Sequence, residues 1–248
     1  MDIKIKDRFM EIWGKYFPGS DLPIGCFYSD TLDGVEFSAR PRPNAKGYTC
    51  IFSQLATVRK GRARAFNKEN LGCFGSYLPL GFDSEVNEDV KNYVCNIERV
   101  KKSYDYFTSM YDHRPLNKAS GKYLVFKRWD VLEGHDDPQV IIFINNVDVI
   151  TGLHGLANFD SLTPYEVAVP FGTGCDAIVG YPMSELDSEQ PKAFLGPFDP
   201  SVWQYFKSDA VTFAVPWPKF LKMLENVDES FLATESWAKI KSRFSRVK

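Results

Sequence analysis

Three of the five cysteines in this 248-residue chain stand beside glycines where the sequence changes periodicity. Cys50 closes Gly47-Tyr48-Thr49-Cys50, Cys73 lies in Leu71-Gly72-Cys73-Phe74-Gly75, and Cys175 closes Gly172-Thr173-Gly174-Cys175. The first and last are Gly-x-x-Cys turns, each expected to deliver its sulfur to the first turn of a helix: Ile51 to about Lys60, ended by Gly61, and Asp176 to about Leu186. Unpaired amides and the positive end of the helix dipole favour a thiolate there over a thiol. Thiolates bind metals and attack electrophiles. Cys50, Cys73 and Cys175 are therefore the candidate metal ligands. Gly47, Gly172 and Gly174 are the candidate backbone for close approach to a cofactor.

Three readings of this trio stand side by side. As a metal site, three thiolates hold an iron–sulfur cluster with one iron left to a small ligand, or zinc with a fourth ligand. The spacing is unlike the compact Cys-x-x-Cys types, and the scarcity of histidine favours the cluster over zinc. As packing residues, the thiols bind no cofactor, and Phe74, Tyr77, Phe171 and Tyr181 line the pocket of a non-enzymatic small-molecule binding or sensing module. As nucleophile or redox group, one of them serves a thiol-dependent enzyme and needs a base or a resolving thiol nearby.

The remaining candidates are weaker. Cys26 reads as a strand residue and Cys95 as a neighbour of an apolar helical stripe, and either could supply a fourth ligand. His113, His135 and His154 form no ligand motif; His154 is the one to test as base or ligand. Asp136-Asp137 lacks the spacing of a calcium or magnesium site. Gly172-x-Gly174 before a helix could cradle a phosphate, but neither Gly-x-Gly-x-x-Gly nor a Walker lysine is present.

The elements that must position these groups follow from pattern. Ile5, Phe9, Ile12, Trp13 and Tyr16 mark an amphipathic helix over Ile3 to Phe17. Pro23 to Tyr28 and Val35 to Ala39 read as a hairpin joined through Asp33-Gly34. A short strand covers Ala63 to Phe66, and one long or two broken helices cover Ser84 to Tyr111. Strands follow at Tyr123 to Trp129 and Gln139 to Ile144, the second apolar enough to be central. Then come a helix over Asp148 to Ala157, a strand over Tyr165 to Phe171, the Cys175 helix, Lys192 to Gly196, and a strand over Ser208 to Val215. Trp217 to Leu224 begins the last helical region, and Glu235 to Phe244 is amphipathic. The expected fold is α+β, a mixed sheet with packed helices in a single domain, with two weakly related halves that each donate one Gly-x-x-Cys turn.

Composition sets the outer bounds. Hydrophobic residues at 44% and aromatics at 15% specify a chain that folds on a core. A net charge of −2 from 32 acids and 30 bases, without long runs of either sign, gives no basis for nucleic-acid binding. No apolar stretch approaches the ~18 residues of a membrane span, and Met1 to Asp7 has no apolar leader core. An odd number of cysteines fits a reducing compartment. The expectation is a soluble cytoplasmic protein whose partner is a small molecule, with no nucleic-acid or membrane partner.

The runs from Cys50 to Gly61 and from Cys73 to Gly81 resemble a family of archaeal and bacterial proteins, the domain of unknown function numbered 169. The resemblance continues through Pro138 to Phe143 and Gly174 to Pro182 and ends near Phe213 to Pro218, so it spans about 20–225 between the two terminal amphipathic helices. It implies cysteines at the positions of Cys50, Cys73 and Cys175; the family has no established activity to carry over. After Leu195-Gly196 the family tends to a small polar turn with an arginine, where this chain has Pro197-Phe198-Asp199-Pro200.

Overall fold

A computed structural model describes residues 1–37, 50–207 and 209–244. Its strands are β1 (Ile24–Ser29), β2 (Glu36–Phe37), β3 (Arg64–Phe66), β4 (Tyr123–Arg128), β5 (Val140–Asn146), β6 (Val167–Ala168), β7 (Ala193–Gly196) and β8 (Ala210–Pro216). Its α-helices are α1 (Ile3–Tyr16), α2 (Ile51–Val58), α3 (Glu88–Asn92), α4 (Tyr104–Asp112), α5 (Val147–Ala157), α6 (Tyr181–Ser184), α7 (Trp217–Asn226) and α8 (Glu235–Phe244). The fold is α+β, with helices packed on a mixed sheet.

The eight strands form one sheet in the order β2-β3-β4-β1-β5-β8-β7-β6. Read from the centre outwards, the first four run β1, β4, β3, β2 and the last four β5, β8, β7, β6. Pairing sense repeats as well. The inner pairs of both halves are antiparallel, and both edge pairs, β2 with β3 and β6 with β7, are parallel. β1 and β5 meet antiparallel at the centre, Gly25 opposite Ile141. This is the wiring of one four-stranded unit used twice about a pseudo-twofold axis through the middle of the sheet. A parallel pair needs a crossover. In the first half α2 supplies it, and in the second the helical segment from Asp176 to Ser184 does. Cys50 and Cys175 therefore hold the same place in the two halves.

Strand alternation sorts the core onto the two faces. From β5, Ile141 and Phe143 join the cluster with Phe9, Trp13, Leu153, Phe220 and Trp237 of α1, α5, α7 and α8. Val140, Ile142 and Ile144 join the cluster with Ile51, Phe52, Leu55, Cys175 and Ile178. Both faces are covered, which is why β5 is apolar without interruption. α1 has the expected periodicity, with Phe9, Ile12, Trp13 and Tyr16 buried and Asp2 capping the Lys4 amide. The Trp237 ring of α8 lies where a side chain on Gly152 would be, and its Nε1 donates to the Tyr16 carbonyl. No helix among the described residues is long and apolar enough to cross a membrane.

Three local expectations are corrected, and a fourth resolves to one of its two alternatives. Gly34 turns the chain with φ of 67°, but no hairpin forms, because β4 and β5 occupy both edges of β1 and β2 pairs with β3 instead. The remainder of the expected second strand, beyond Phe37, lies outside the described residues. The Ser84 to Tyr111 pattern is broken: α3 widens into a π-helical turn (Tyr93–Ile97), and Arg99 at φ 55° stops it before α4. Between them Cys95 packs with Leu78, Val90, Phe107 and Tyr111. The strand expected over Tyr165 to Phe171 is two residues long, Val167–Ala168. The helix expected after Cys175 begins as a π-helical turn (Asp176–Gly180) that hands over to α6.

Candidate functional site

Each of the three cysteines stands immediately before a helical turn. Cys50 is the N-cap of α2, half-buried, with φ −75° and ψ 138°. Cys73, also half-buried, caps the short 3-10 turn Phe74–Ser76 with φ −103° and ψ 107°. Cys175 is 7% exposed, next to the π-helical turn and in the core cluster that contains Phe52 and Leu55 of α2.

Two of the three thiols feel the charge of others in the set. Burial is the largest influence on each and pushes each upward: Cys50 from 9.0 to about 11, Cys73 in the same direction, and Cys175 well above its ordinary value. Cys73 raises Cys50 further, and both raise Cys175. The amides of Phe52 and Ser53 pull Cys50 down, and those of Gly75 and Ser76 do the same for Cys73. The helix-start geometry is thus as expected from sequence, but its sign is overruled: burial outweighs the amides, and the thiol is the favoured form in the metal-free protein. A cation among the sulfurs inverts that balance. Cys26 and Cys95 differ, because burial is the whole cause of their upward shifts.

Asp199 belongs to the same neighbourhood. Its charge raises Cys50, Cys73 and Cys175 alike. Its Oδ2 accepts from the Gly174 amide at 2.9 Å, and its Oδ1 accepts from the amide and hydroxyl of Ser201. Gly174 is glycine for a packing reason: a Cβ there would lie 2.6 Å from Phe52 Cε2 and 3.0 Å from Val202 Cγ2. The Phe52 and Phe206 ring centres also lie 5.4 Å apart, with the rings tilted by 57°. The Cys175 turn, the Cys50 helix and the Asp199 turn are therefore pressed together by direct contact. Gly172 is likewise packed, with Tyr181 Oη 2.9 Å and Asp176 Cβ 3.0 Å from a Cβ placed there. Gly47 lies outside the described residues.

Of the expected pocket aromatics, Phe74 and Phe171 are exposed. Tyr77 donates to the carbonyls of Lys68 and Leu71, and Tyr181 is buried and donates to the Phe171 carbonyl. Tyr205, which responds to Cys50 and Cys73 after burial, adds a further ring. His113 binds the Ser109 carbonyl at the end of α4, and His154 is exposed on α5. Glu133, His135 and Asp136 bring ligand atoms within 4.8 Å of one another. The buried Lys127 ammonium, 2.9 Å from Asp136 Oδ1, already pairs with the buried carboxylate of that group.

Sequence reasoning passed over Asp199 and the buried pair of Arg114 and Asp176. Their side chains are 3% and 1% exposed, and one guanidinium nitrogen contacts Asp176 Oδ1. Nε and Nη1 of Arg114 have no hydrogen-bond partner among the described residues, and its guanidinium lies 5.2 Å from the Tyr111 ring centre and 6.0 Å from that of Tyr181. Burial raises Asp176, opposed by Arg114 and by the bonds from Thr173. The sequence did hold a signal for Asp199, since Asp-Pro-Ser is a helix-start pattern like those around the cysteines.

Residues 20–226 match the family model DUF169, described as an uncharacterised ArCR. No curated protein and no solved structure matches the chain.

Proposed function

The chain belongs to the DUF169 family, and from its site we propose that Cys50, Cys73 and Cys175 are the thiolate ligands of an iron–sulfur cluster. The observation that carries this reading is that Cys50 and Cys175, at equivalent places in a doubled fold, both feel Cys73 from a third segment, and Cys175 feels Cys50 as well. The scarcity of histidine among the candidate ligands favours a cluster over zinc.

The surroundings suit that group. Amides of Phe52, Ser53, Gly75 and Ser76 face two of the sulfurs, and donors of this kind stabilise thiolates and tune cluster potential. The buried side of Cys175 limits water. Three thiols would leave one iron for a ligand other than cysteine, and a cluster held there would supply a Lewis-acid centre.

The test is iron, acid-labile sulfide and visible absorption on protein purified without oxygen, wild type beside Cys50→Ser and Cys26→Ser. Iron with sulfide and a broad absorption lost in Cys50→Ser but kept in Cys26→Ser is the expected result. Zinc without iron overturns the cluster, and a metal-free protein with five titratable thiols overturns the metal site altogether.

A further inference from the structure

The pseudo-twofold axis that equates Cys50 with Cys175 also assigns a counterpart to Cys73. Cys73 follows β3 and caps a 3-10 turn; after β7, the equivalent strand, the residue that caps a 3-10 turn (Pro200–Tyr205) is Asp199. The two caps have nearly the same backbone, φ −103° and ψ 107° at Cys73 against φ −99° and ψ 111° at Asp199. We propose that Asp199 is the fourth protein ligand of the site, a carboxylate standing where the doubled fold repeats the position of Cys73. The inference rests on the cluster reading above and names the ligand of the iron that the three thiols leave.

Two kinds of observation support it. The first is placement: Asp199 Oδ2 is bound at 2.9 Å by the amide of Gly174, the residue before Cys175, and Gly174 is itself wedged between Phe52 of the Cys50 helix and Val202 of the Asp199 turn. The second is valence. A carboxylate offers about four lone-pair sites. Ser201 takes two on Oδ1, at 3.0 Å from its amide and 2.7 Å from its hydroxyl, and Gly174 takes one on Oδ2. One remains on Oδ2. Carboxylates that bind metals are oriented by such hydrogen bonds.

The competing role for Asp199 is that of a helix cap alone, and the variants are chosen to separate the two. Asn caps as well as Asp but is a poor iron ligand, whereas Cys supplies a thiolate. Wild type, Asp199→Asn and Asp199→Cys are reconstituted anaerobically as full-length chains, and iron content, Mössbauer spectrum and reduction potential are measured. Asp199→Asn is expected to hold one iron fewer per chain and to give the paramagnetic signal of an incomplete cluster on oxidation. Asp199→Cys is expected to keep the full complement, with one iron site altered in its Mössbauer parameters and a lower potential. Full iron, an unchanged spectrum and an unchanged potential in Asp199→Asn would show that Asp199 is only a cap, with the three-cysteine cluster still standing. A wild-type chain that takes up neither iron nor sulfide overturns the cluster reading and Asp199 with it. If Asp199→Asn does not fold, Asp199→Ser, which also caps without ligating well, decides the matter by the same iron count.

Discussion

The two halves of the sheet repeat the same strand order and pairing sense, yet their crossovers differ. In the first half Cys50 opens a regular α-helix, and the next residue, Ile51, is a buried hydrophobe. In the second half Cys175 opens a π-helical turn, and the next residue is Asp176, buried against Arg114. After the third strand of each half, one supplies a thiol and the other a carboxylate from caps of nearly equal backbone angles. The difference separates what the doubled fold keeps from what it lets drift. Cap geometry beside the site is retained, while the helix that carries the cap is repacked. A widened turn in one crossover only, at a buried charge, is where local regularity yields to another demand.

The largest effect comes from removing that asymmetry one residue at a time. Arg114→Met leaves Asp176 without its cation in the core, and the expected loss is about 3–5 kcal/mol in urea unfolding of the metal-free protein. Asp176→Ile, which gives the second half the residue of the first, strands Arg114 and costs a similar amount. Together, Arg114→Met and Asp176→Ile should recover most of that loss, because apolar replacement of a whole buried pair is often close to neutral. Additive losses in the double variant would mean that Asp176 holds the turn through Thr173 rather than through Arg114.

Much of this was legible in the sequence, for identifiable reasons. α1, β5 and α5 carry unbroken periodicities and fall close to the expected bounds. Cys50, Cys73 and Cys175 were singled out because glycine near cysteine at a change of period is a local signal. The repeat showed in the sequence only as two Gly-x-x-Cys turns, since what the halves share is strand order, which depends on pairings far apart in the chain. Asp199 stayed hidden for the same reason: its equivalence to Cys73 is a relation between places in the sheet, and its residue type differs. The hairpin expected at Asp33-Gly34 failed because a turn signal cannot report that both edges of β1 are already taken. The thiolate expectation failed because cap geometry is local, whereas burial is set by the whole core.

A smaller effect tests the contact that joins the halves. Gly174→Ala puts a methyl group 2.6 Å from the Phe52 ring, and overpacking of this kind costs roughly 1–3 kcal/mol. The damage should extend to the site, since the Gly174 amide also holds Asp199. Phe52→Leu, which shortens the obstructing side chain, should restore part of the loss in the double variant when measured by thermal unfolding. An unchanged midpoint in Gly174→Ala alone would mean that the Cys175 turn does not depend on close contact with the Cys50 helix.

The smallest effect distinguishes the two equivalent thiols themselves. Cys50 is half-buried and pushed by burial to about 11, whereas Cys175 is 7% exposed and stands well above its ordinary value. Since the thiolate is the nucleophile, iodoacetamide should label Cys50 of the metal-free protein slowly at neutral pH, with a rate rising about tenfold per pH unit towards pH 11. Cys175 should lag until the chain unfolds. Stability carries the same sign. A thiol raised on folding keeps its proton longer in the folded chain than in the unfolded one, so the contribution of Cys50 is full below about pH 9 and declines as pH rises through about 11. Cys50→Ser should flatten that alkaline slope slightly, read from unfolding midpoints across the same range. Rapid labelling of both thiols at pH 7 would reverse the ordering, set the two halves equal in chemistry as well as in wiring, and favour a nucleophilic cysteine over a ligand.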